Sequence, residues 1–527
     1  MPESSTTRKL GLAAALLVFT VFLSRVLGFL RDAVIAGLFG ATGRTDAFYA
    51  AFTIPDVLMY LVAGGTLSIT FIPIYTRHLK ANDEAGGNRV LSIIATSMTL
   101  LFLVGIGVLE YYTPALTRSY LHRLRPEDVD LAAGLTRVLL PMQLFFYLGG
   151  IASATLFSRK RFVAVSMAPL VYNVGIIVGG AAFGRRYGIA SLAWGALAGA
   201  AVGQFGILVV AAWRAGMRYR PSLAVRDKSF REWLLASVPL MLAVTLVTAD
   251  DWFIRYFAAA DVGAISCLNY ARKLVQVPIA VAAQAVGQAS MPFFAQYWAE
   301  GRKKDLGDLV TSSARASAAI AALAGCALMA LAEPAVELLF RRGAFTTAQV
   351  APTAHYVMLF AAAMPLWAMQ AIVSRAFYAA GDTLTPAVAG TLVTVTTVPI
   401  YWLGSRFLDT NGLVLASDVG IFLHTASLML LLPRRLDTVG RRNIVTGTLR
   451  GYMVGVLAAL PAWAASAWLP HGHLRGHLLT LVQLAVGGIV FLTVTVLIAR
   501  PLGADDIAGF IEQRVLRRKK RALPSRP

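Results

Sequence analysis

A group of charged residues inside a long apolar stretch constrains this chain more than any other feature. The stretch extends from about residue 10 to residue 39 and is rich in Leu and Phe, so it is long enough to cross a bilayer. Arg25, Arg31 and Asp32 interrupt it. A charge near the bilayer centre costs roughly 2.5–3.5 kcal/mol on insertion scales. We therefore predict that these three side chains face a polar interior rather than lipid.

The spacing of the two arginines favours a broad cavity over a single ion pair. Arg25 and Arg31 are six residues apart, which places them about 9 Å apart along a helix and about 120° apart around it. Two guanidinium groups in that arrangement can line one hydrated space. The alternative is that Arg31 and Asp32 lie at the membrane edge and extend to the lipid headgroups.

Composition indicates an all-α polytopic membrane protein. Of the 527 residues, 57% are hydrophobic and only 14% are charged, whereas soluble proteins carry about 25% charged residues. The net charge of +21 would indicate nucleic-acid binding in a soluble chain. Here the basic residues cluster in short loops between apolar spans, without interleaved aromatic residues, which is the pattern of cytoplasmic loops. We therefore predict membrane lipids, and no nucleic acid, as partners.

The apolar segments predict about fourteen membrane-spanning helices. The even number and the basic loops predict that both termini are cytoplasmic. A weak similarity between Phe71–Tyr75 and Ser290–Phe294 indicates two related halves, and transporters built this way bind their cargo between the halves. The predicted parts are a first lobe of six helices (1–213), a basic cytoplasmic linker (214–231), a second six-helix lobe (232–433), two extra helices (434–500) and a basic cytoplasmic tail (501–527).

Three more ionisable residues lie in or beside predicted spans: Asp46, Lys273 and Arg375. Together with Arg25 and Arg31 they predict a cationic cavity, and arginine favours phosphate because its planar fork donates two parallel hydrogen bonds. Two structural alternatives remain open. Lys273 and its neighbour Arg272 could pair with Asp250 or Asp251, and Asp46 could cap its own helix.

Motifs for an enzyme are absent from the sequence. It contains no nucleotide-binding lysine loop, nucleophile elbow or H-E-x-x-H motif. His471, His473 and His477 lie in a predicted short outer loop without an acidic or cysteine partner, so we predict no metal and no cofactor. The chain is predicted to be a transporter driven by the membrane potential or a coupling ion.

Several segments together resemble one family, the MurJ (MviN) lipid II flippases of the MOP exporter superfamily. The segments are S-R-V-L-G-F-L-R-D-A at Ser24–Ala33, T-D-A-F at Thr45–Phe48, F-I-P at Phe71–Pro73, Y-A-R-K-L at Tyr270–Leu274, R-G-A-F-T at Arg342–Thr346 and A-F-Y-A-A-G-D-T-L-T-P at Ala376–Pro386. Each segment is short, but they keep the order that the family has.

The resemblance implies a fold and a function. It implies fourteen helices, with two six-helix lobes forming a V around a central cavity and two extra C-terminal helices. It also implies alternating-access movement of lipid II, an undecaprenyl-diphosphate-linked peptidoglycan precursor, from the inner to the outer leaflet of the bacterial cytoplasmic membrane. The residues it marks are Arg25, Arg31 and Lys273 for the diphosphate, Asp46 as a gate or charge partner, and Arg272, Arg375 and Asp32 as secondary candidates.

One segment departs from the family pattern. Many members have an arginine and then a glutamate after the proline of the second span, whereas here the corresponding residues are Met59 or Tyr60 and then Gly64. The cavity is therefore predicted to lack one cation. This keeps two alternatives open, a flippase for another polyprenyl-linked glycan and a small-molecule exporter of the same superfamily. A membrane glycosyltransferase fits less well because no long outer loop with catalytic acids is predicted.

Overall fold

The computed structural model describes residues 23–63, 70–242, 246–434, 436, 439–469, 476–504 and 506–509. Throughout these ranges the regular structure is helical and no strand occurs, so the predicted all-α class is confirmed. The first eleven helices are α1 (23–39), α2 (Gly43–Ala50), α3 (Thr53–Ala63), α4 (Ile72–Lys80), α5 (Glu84–Tyr120), α6 (Pro126–Leu139), α7 (Met142–Ser158), α8 (Val163–Tyr187), α9 (Ala190–Gly199), α10 (Leu208–Arg214) and α11 (Lys228–Leu242). The others are α12 (Leu246–Phe257), α13 (Ala264–Ile279), α14 (Ala285–Ala299), α15 (Lys303–Ala330), α16 (Ala332–Phe340), α17 (Thr347–Ala362), α18 (Met364–Ala379), α19 (Leu384–Phe407), α20 (Asp409–Leu431), α21 (Arg441–Ala467) and α22 (His477–Ala499).

Within the described ranges, fewer than fourteen helices are long and apolar enough to cross a membrane. Nine helical segments in the described ranges are long and apolar enough, and the pair α17 and α18, bent by 45°, makes a tenth. Two other predicted spans are not part of this count. Residues 64–69, between α3 and α4, lie outside the description, and a π-helical segment, Ala280–Gln284, separates α13 from α14. The count of fourteen spans therefore stays a prediction.

The chain forms two compact units. The first, here the N-unit, comprises Met1–Val244, Asp251–Ser266 and Arg342–Phe345. The second, the C-unit, comprises Thr245–Asp250, Cys267–Arg341 and Thr346–Pro527. Both units therefore contain segments from distant parts of the sequence. The lobe boundaries predicted from the basic linker and from the two extra helices stay predictions.

The N-unit combines an aromatic core with a close helix crossing. Phe71, Phe102, Tyr147 and Trp233 belong to its core and have no exposed surface. Helices α8 and α9 cross at four glycines. A side chain at this crossing would collide with the backbone of the opposite helix, since a Cβ at Gly175 would lie 2.7 Å from Cα of Gly199. Small residues allow membrane helices such backbone contact.

The C-unit is built around the contact between α15 and α21. Gly447, Gly451 and Gly455 repeat every four residues on α21 and form one face of it. A Cβ at Gly451 would lie 2.7 Å from the carbonyl oxygen of Ala319 on α15, and one at Gly447 would collide with the side chain of Arg315. This crossing therefore holds Arg315 against α21.

A family-like motif has a structural role in the N-unit. Residues 342–345 belong to that unit, and Ala344 N–H donates a 2.8 Å hydrogen bond to the carbonyl oxygen of Gly37 at the end of α1. Gly40 and Gly343 have φ values of +69° and +55°, a region that residues with a side chain rarely adopt. The R-G-A-F motif therefore fixes the end of the helix that carries Arg31.

Candidate functional site

Helix α1 carries the first three predicted site residues into the N-unit. Arg31 donates from Nε and Nη2 to Oδ1 of Asp32 at 3.0 and 2.9 Å, and from Nη1 to Oδ1 of Asn173 at 3.2 Å. The Asp32 side chain is fully buried and that of Arg31 is 19% exposed. Arg25, two turns earlier, is partly buried. The side chains of Arg31 and Asp32 are thus largely shielded from solvent, and their predicted roles in the site stay predictions.

A second ion pair lies between α3 and α12 in the same unit. Nη1 of Arg255 donates to Oδ2 of Asp56 at 3.0 Å and to the Thr53 hydroxyl at 3.3 Å. One turn along each helix, the ring of Tyr60 packs edge-on against Trp252, with 5.9 Å between ring centroids. These contacts fix Arg255 against the face of α3 that follows the proline of the second span.

The two ion pairs form one polar cluster. Tyr172 on α8 lies within electrostatic range of Arg31, Asp32 and Asp56. We call Arg31, Asp32, Asp56, Tyr172, Asn173 and Arg255 the N-unit cluster. Asp251 also lies within electrostatic range of Asp56 and Arg255, so among the described residues the two guanidinium groups of the cluster face three carboxylates. The cationic cavity predicted from the sequence stays a prediction. Arg255 is not among the residues predicted from the sequence, although a charge in the apolar run W-F-I-R indicates a sheltered site.

Asp46 lies on α2 of the same unit and contacts a segment that is distant in the sequence. Thr42, not Asp46, caps α2, so the alternative that Asp46 caps its own helix is wrong. The buried Asp46 carboxylate accepts hydrogen bonds from the backbone N–H groups of Gly263 and Ser266, at 2.5 and 2.8 Å, and from the Ser266 hydroxyl at 2.6 Å. Asp46 thus supplies acceptors for the first turn of α13.

In the C-unit, Arg272 is a structural ion-pair partner. It donates to Asp250, as one alternative from the sequence had it, and lies over the ring of Phe360 at 5.2 Å from the centroid. Asp250 also accepts from the hydroxyl groups of Tyr401 and Ser417. Both members of this pair are therefore committed to internal contacts.

Lys273 and Arg375 are also in the C-unit. Lys273 follows Arg272 on α13 and is partly buried; its predicted role stays a prediction. Nη1 of Arg375 donates to the carbonyl oxygen of Ala283 at 3.4 Å, and a Cβ at Gly287 would overlap its guanidinium. Within the described ranges Arg375 contacts no carboxylate.

Metal-binding groups are not found in the described part of the chain, where no three His, Cys, Asp or Glu side chains converge. His477 begins α22 and is exposed, while His471 and His473 lie outside the described residues.

Comparison with known proteins identifies the family. The family model described as "Lipid II flippase MurJ" matches residues 35–483. The chain belongs to the MurJ family of lipid II flippases. Two relatives illustrate the match. A protein named "Probable lipid II flippase MurJ" from Rhizobium tropici is 26% identical, covering 95% of this chain and 96% of its own length. One named "Lipid II flippase MurJ" from Burkholderia cenocepacia is 28% identical, covering 86% and 90%.

Solved structures agree on the MurJ fold. A structure titled "Lipid II flippase MurJ, inward closed conformation" has a TM-score of 0.76 at 19% identity, covering 93% of this chain and 99% of that one. An inward-facing MATE family transporter of the MOP superfamily has a TM-score of 0.61 at 15% identity, covering 83% and 96%. At these identities the likeness concerns the fold alone.

Proposed function

We propose that this chain translocates lipid II and that the N-unit cluster holds the diphosphate of the lipid. The MurJ family is one of transporters rather than enzymes, and its members are multi-pass proteins of the bacterial inner membrane. The observation that carries the proposed site is the pairing of Arg31 and Arg255, each with a carboxylate, in one sheltered cluster.

Both arginines retain hydrogen-bond donors for a phosphate group. A guanidinium has five N–H donors. Arg255 bonds only through Nη1 among the described residues, so its Nε and Nη2 remain available. Arg31 bonds Asp32 along its Nε–Nη2 edge and the neutral Asn173 through Nη1. A diphosphate that displaced Asn173 from Arg31 would leave the ion pair between Arg31 and the buried Asp32 intact. No carboxylate would then be buried without a partner, which would be costly.

Arg255 also accounts for the cation that the second span lacks. The family arginine corresponds here to Met59 or Tyr60 on α3. Arg255 reaches Asp56, one turn before Tyr60, from the neighbouring helix α12. We propose that α12 supplies the positive charge that α3 lacks. The cluster can then still bind lipid II, the cargo of the family. Lys273 stays the proposed contribution of the C-unit.

The experiment for this function is replacement of Arg255 by methionine, which fills similar volume without charge. Because a hydrogen bond to a charged group contributes about 1.5–3 kcal/mol, transport should fall about tenfold to a hundredfold. Transport is measured as lipid II accessible on the outer leaflet of host cells depleted of their own flippase. Arg123→Met, at an exposed arginine of the same unit, is the matched control and should transport normally.

A rescue variant sharpens this test. Adding Tyr60→Arg to Arg255→Met restores a guanidinium within one turn of Asp56 and should recover part of the transport. Wild-type transport by Arg255→Met would contradict the proposed role of Arg255. Failure of the unmodified chain to translocate lipid II would instead contradict the function itself.

The proposed orientation has both termini in the cytoplasm. It rests on the basic loops, such as Arg302–Lys304 before α15, and on the rule that such loops remain inside. A cysteine introduced at His122, in the short connection after α5, should react with an impermeant thiol reagent added outside intact cells. One at Arg302 should react only after the membrane is opened. The opposite labelling pattern would reverse the topology.

The proposed partners are the lipid-linked precursor and the surrounding membrane lipids. The proposed energy source is the membrane potential or a coupling ion. The potential acts with roughly 2.3 kcal/mol per elementary charge per 100 mV, and it favours outward movement of an anionic cargo from a negative cell interior.

A further inference from the structure

The C-unit contains a polar cavity that the proposed transport site does not use. It has a volume of about 180 Å³ and lies between α15, α21 and the turn after α22. A single water needs only about 10–15 Å³ of such space, so the cavity admits a group of several heavy atoms. Its polar lining consists of Arg315, Asn443, Thr446, Arg450 and Asp506.

The charges of this cavity do not balance. Arg315 donates from Nε and Nη2 to the two oxygens of Asp506 at 2.8 and 3.1 Å. Arg450 makes one hydrogen bond within the described ranges, from Nη1 to the carbonyl oxygen of Gly503 at 2.9 Å. Among the described residues that line the cavity, two guanidinium groups face one carboxylate, and most N–H donors of Arg450 remain for a ligand. The excess of donors and positive charge selects an anion with several acceptor oxygens.

The position of the cavity indicates where that anion comes from. Helix α22 is long and apolar enough to cross a membrane and ends at Ala499, and Arg450 contacts the turn at Gly503 that follows it, so the cavity lies just beyond the end of a candidate span. On α21, the exposed side chains of Val445, Leu449 and Met453 follow one another at four-residue intervals beside Arg450. This arrangement fits a phospholipid. The arginine can contact the phosphate of the headgroup, and the exposed aliphatic side chains can contact the acyl chains along the helix.

We propose that this cavity binds the headgroup phosphate of an anionic membrane phospholipid. Arg450 donates to the phosphate oxygens, Asn443 contributes its side-chain amide, and Arg315 adds positive charge while it remains bound to Asp506. The acyl chains lie along Val445, Leu449 and Met453. Free phosphate shares the binding chemistry but not the aliphatic contact, so the two sources can be separated by experiment.

The test measures binding of short-chain phosphatidylglycerol, phosphatidylcholine and inorganic phosphate to the purified full-length protein in detergent by native mass spectrometry. Wild-type protein should prefer phosphatidylglycerol. Arg450→Gln should weaken that binding about tenfold, because charge-assisted hydrogen bonds to phosphate are lost. Arg442→Gln is the matched control on the same helix. It removes an exposed arginine that does not line the cavity and should bind like wild type.

Two further variants distinguish a loss of ligand contacts from a folding defect in Arg450→Gln. Asn443→Ala changes an exposed side chain of the same cavity and should weaken binding in the same direction. Asp506→Asn removes the competing carboxylate and should tighten binding. Equal binding by wild type and Arg450→Gln, equal binding of the two phospholipids, or inorganic phosphate binding as tightly as phosphatidylglycerol would each overturn the proposal. None of these measurements depends on lipid II transport, so they stand apart from the proposed function.

Discussion

Replacement of Arg31 by alanine should abolish lipid II transport and also weaken the N-unit. The fully buried Asp32 would lose Arg31, whose Nη2 donates to both of its carboxylate oxygens, and removing one member of a buried pair costs about 3–5 kcal/mol. The diphosphate would lose a guanidinium in a sheltered site, where charge-assisted hydrogen bonds are strong. Thermal unfolding of the purified protein and outer-leaflet lipid II in depleted cells report the two effects separately.

Companion variants separate the transport role of Arg31 from its structural role. Arg31→Met combined with Asp32→Asn removes both charges, so stability should largely recover while transport stays lost. Arg31→Lys keeps the charge without the planar fork and should transport weakly. Arg185→Ala, at an exposed arginine near the end of α8, should have little effect on either measurement. Normal transport by Arg31→Ala would remove Arg31 from the proposed site.

Replacement of Asp46 by alanine should produce the second large effect, a loss of stability of about 3 kcal/mol or more. Two backbone N–H groups and one hydroxyl would lose their acceptor in a buried place, and each unsatisfied group costs about 1–3 kcal/mol. The measurement is the midpoint of thermal unfolding of the purified protein. If water enters the space left by the carboxylate, the loss will be smaller but still measurable.

Two controls test whether this loss comes from the hydrogen bonds. Asp46→Asn keeps one acceptor oxygen but places its amide N–H donors opposite another donor. Its loss of stability should therefore lie between zero and that of Asp46→Ala. Asp130→Ala breaks an exposed ion pair with Arg118 and should cost less than about 1 kcal/mol. An Asp46→Ala protein as stable as wild type would show that the segment containing Gly263 and Ser266 does not depend on this carboxylate.

The burial of Arg31 and Asp32 could be predicted from the sequence because a charge in an apolar span must find a polar surrounding. Their direct pairing could not. Adjacent residues on a helix point in different directions, and only the length of the arginine side chain allows Nε and Nη2 to turn back to Asp32. The Arg272–Asp250 pair was among the sequence alternatives because both residues lie in apolar segments that follow one another along the chain.

The sequence by itself determined the helical membrane class, the family and the positions of the buried charges. Apolar length and charge placement are local properties that a bilayer turns directly into helices, because every backbone group must be satisfied within its own segment. Only the tertiary structure decided which charges meet. Asp56 finds Arg255, and Asp46 finds Gly263, across about 200 residues of sequence. Such pairings depend on how helices pack against one another, and no local pattern in the chain encodes that arrangement.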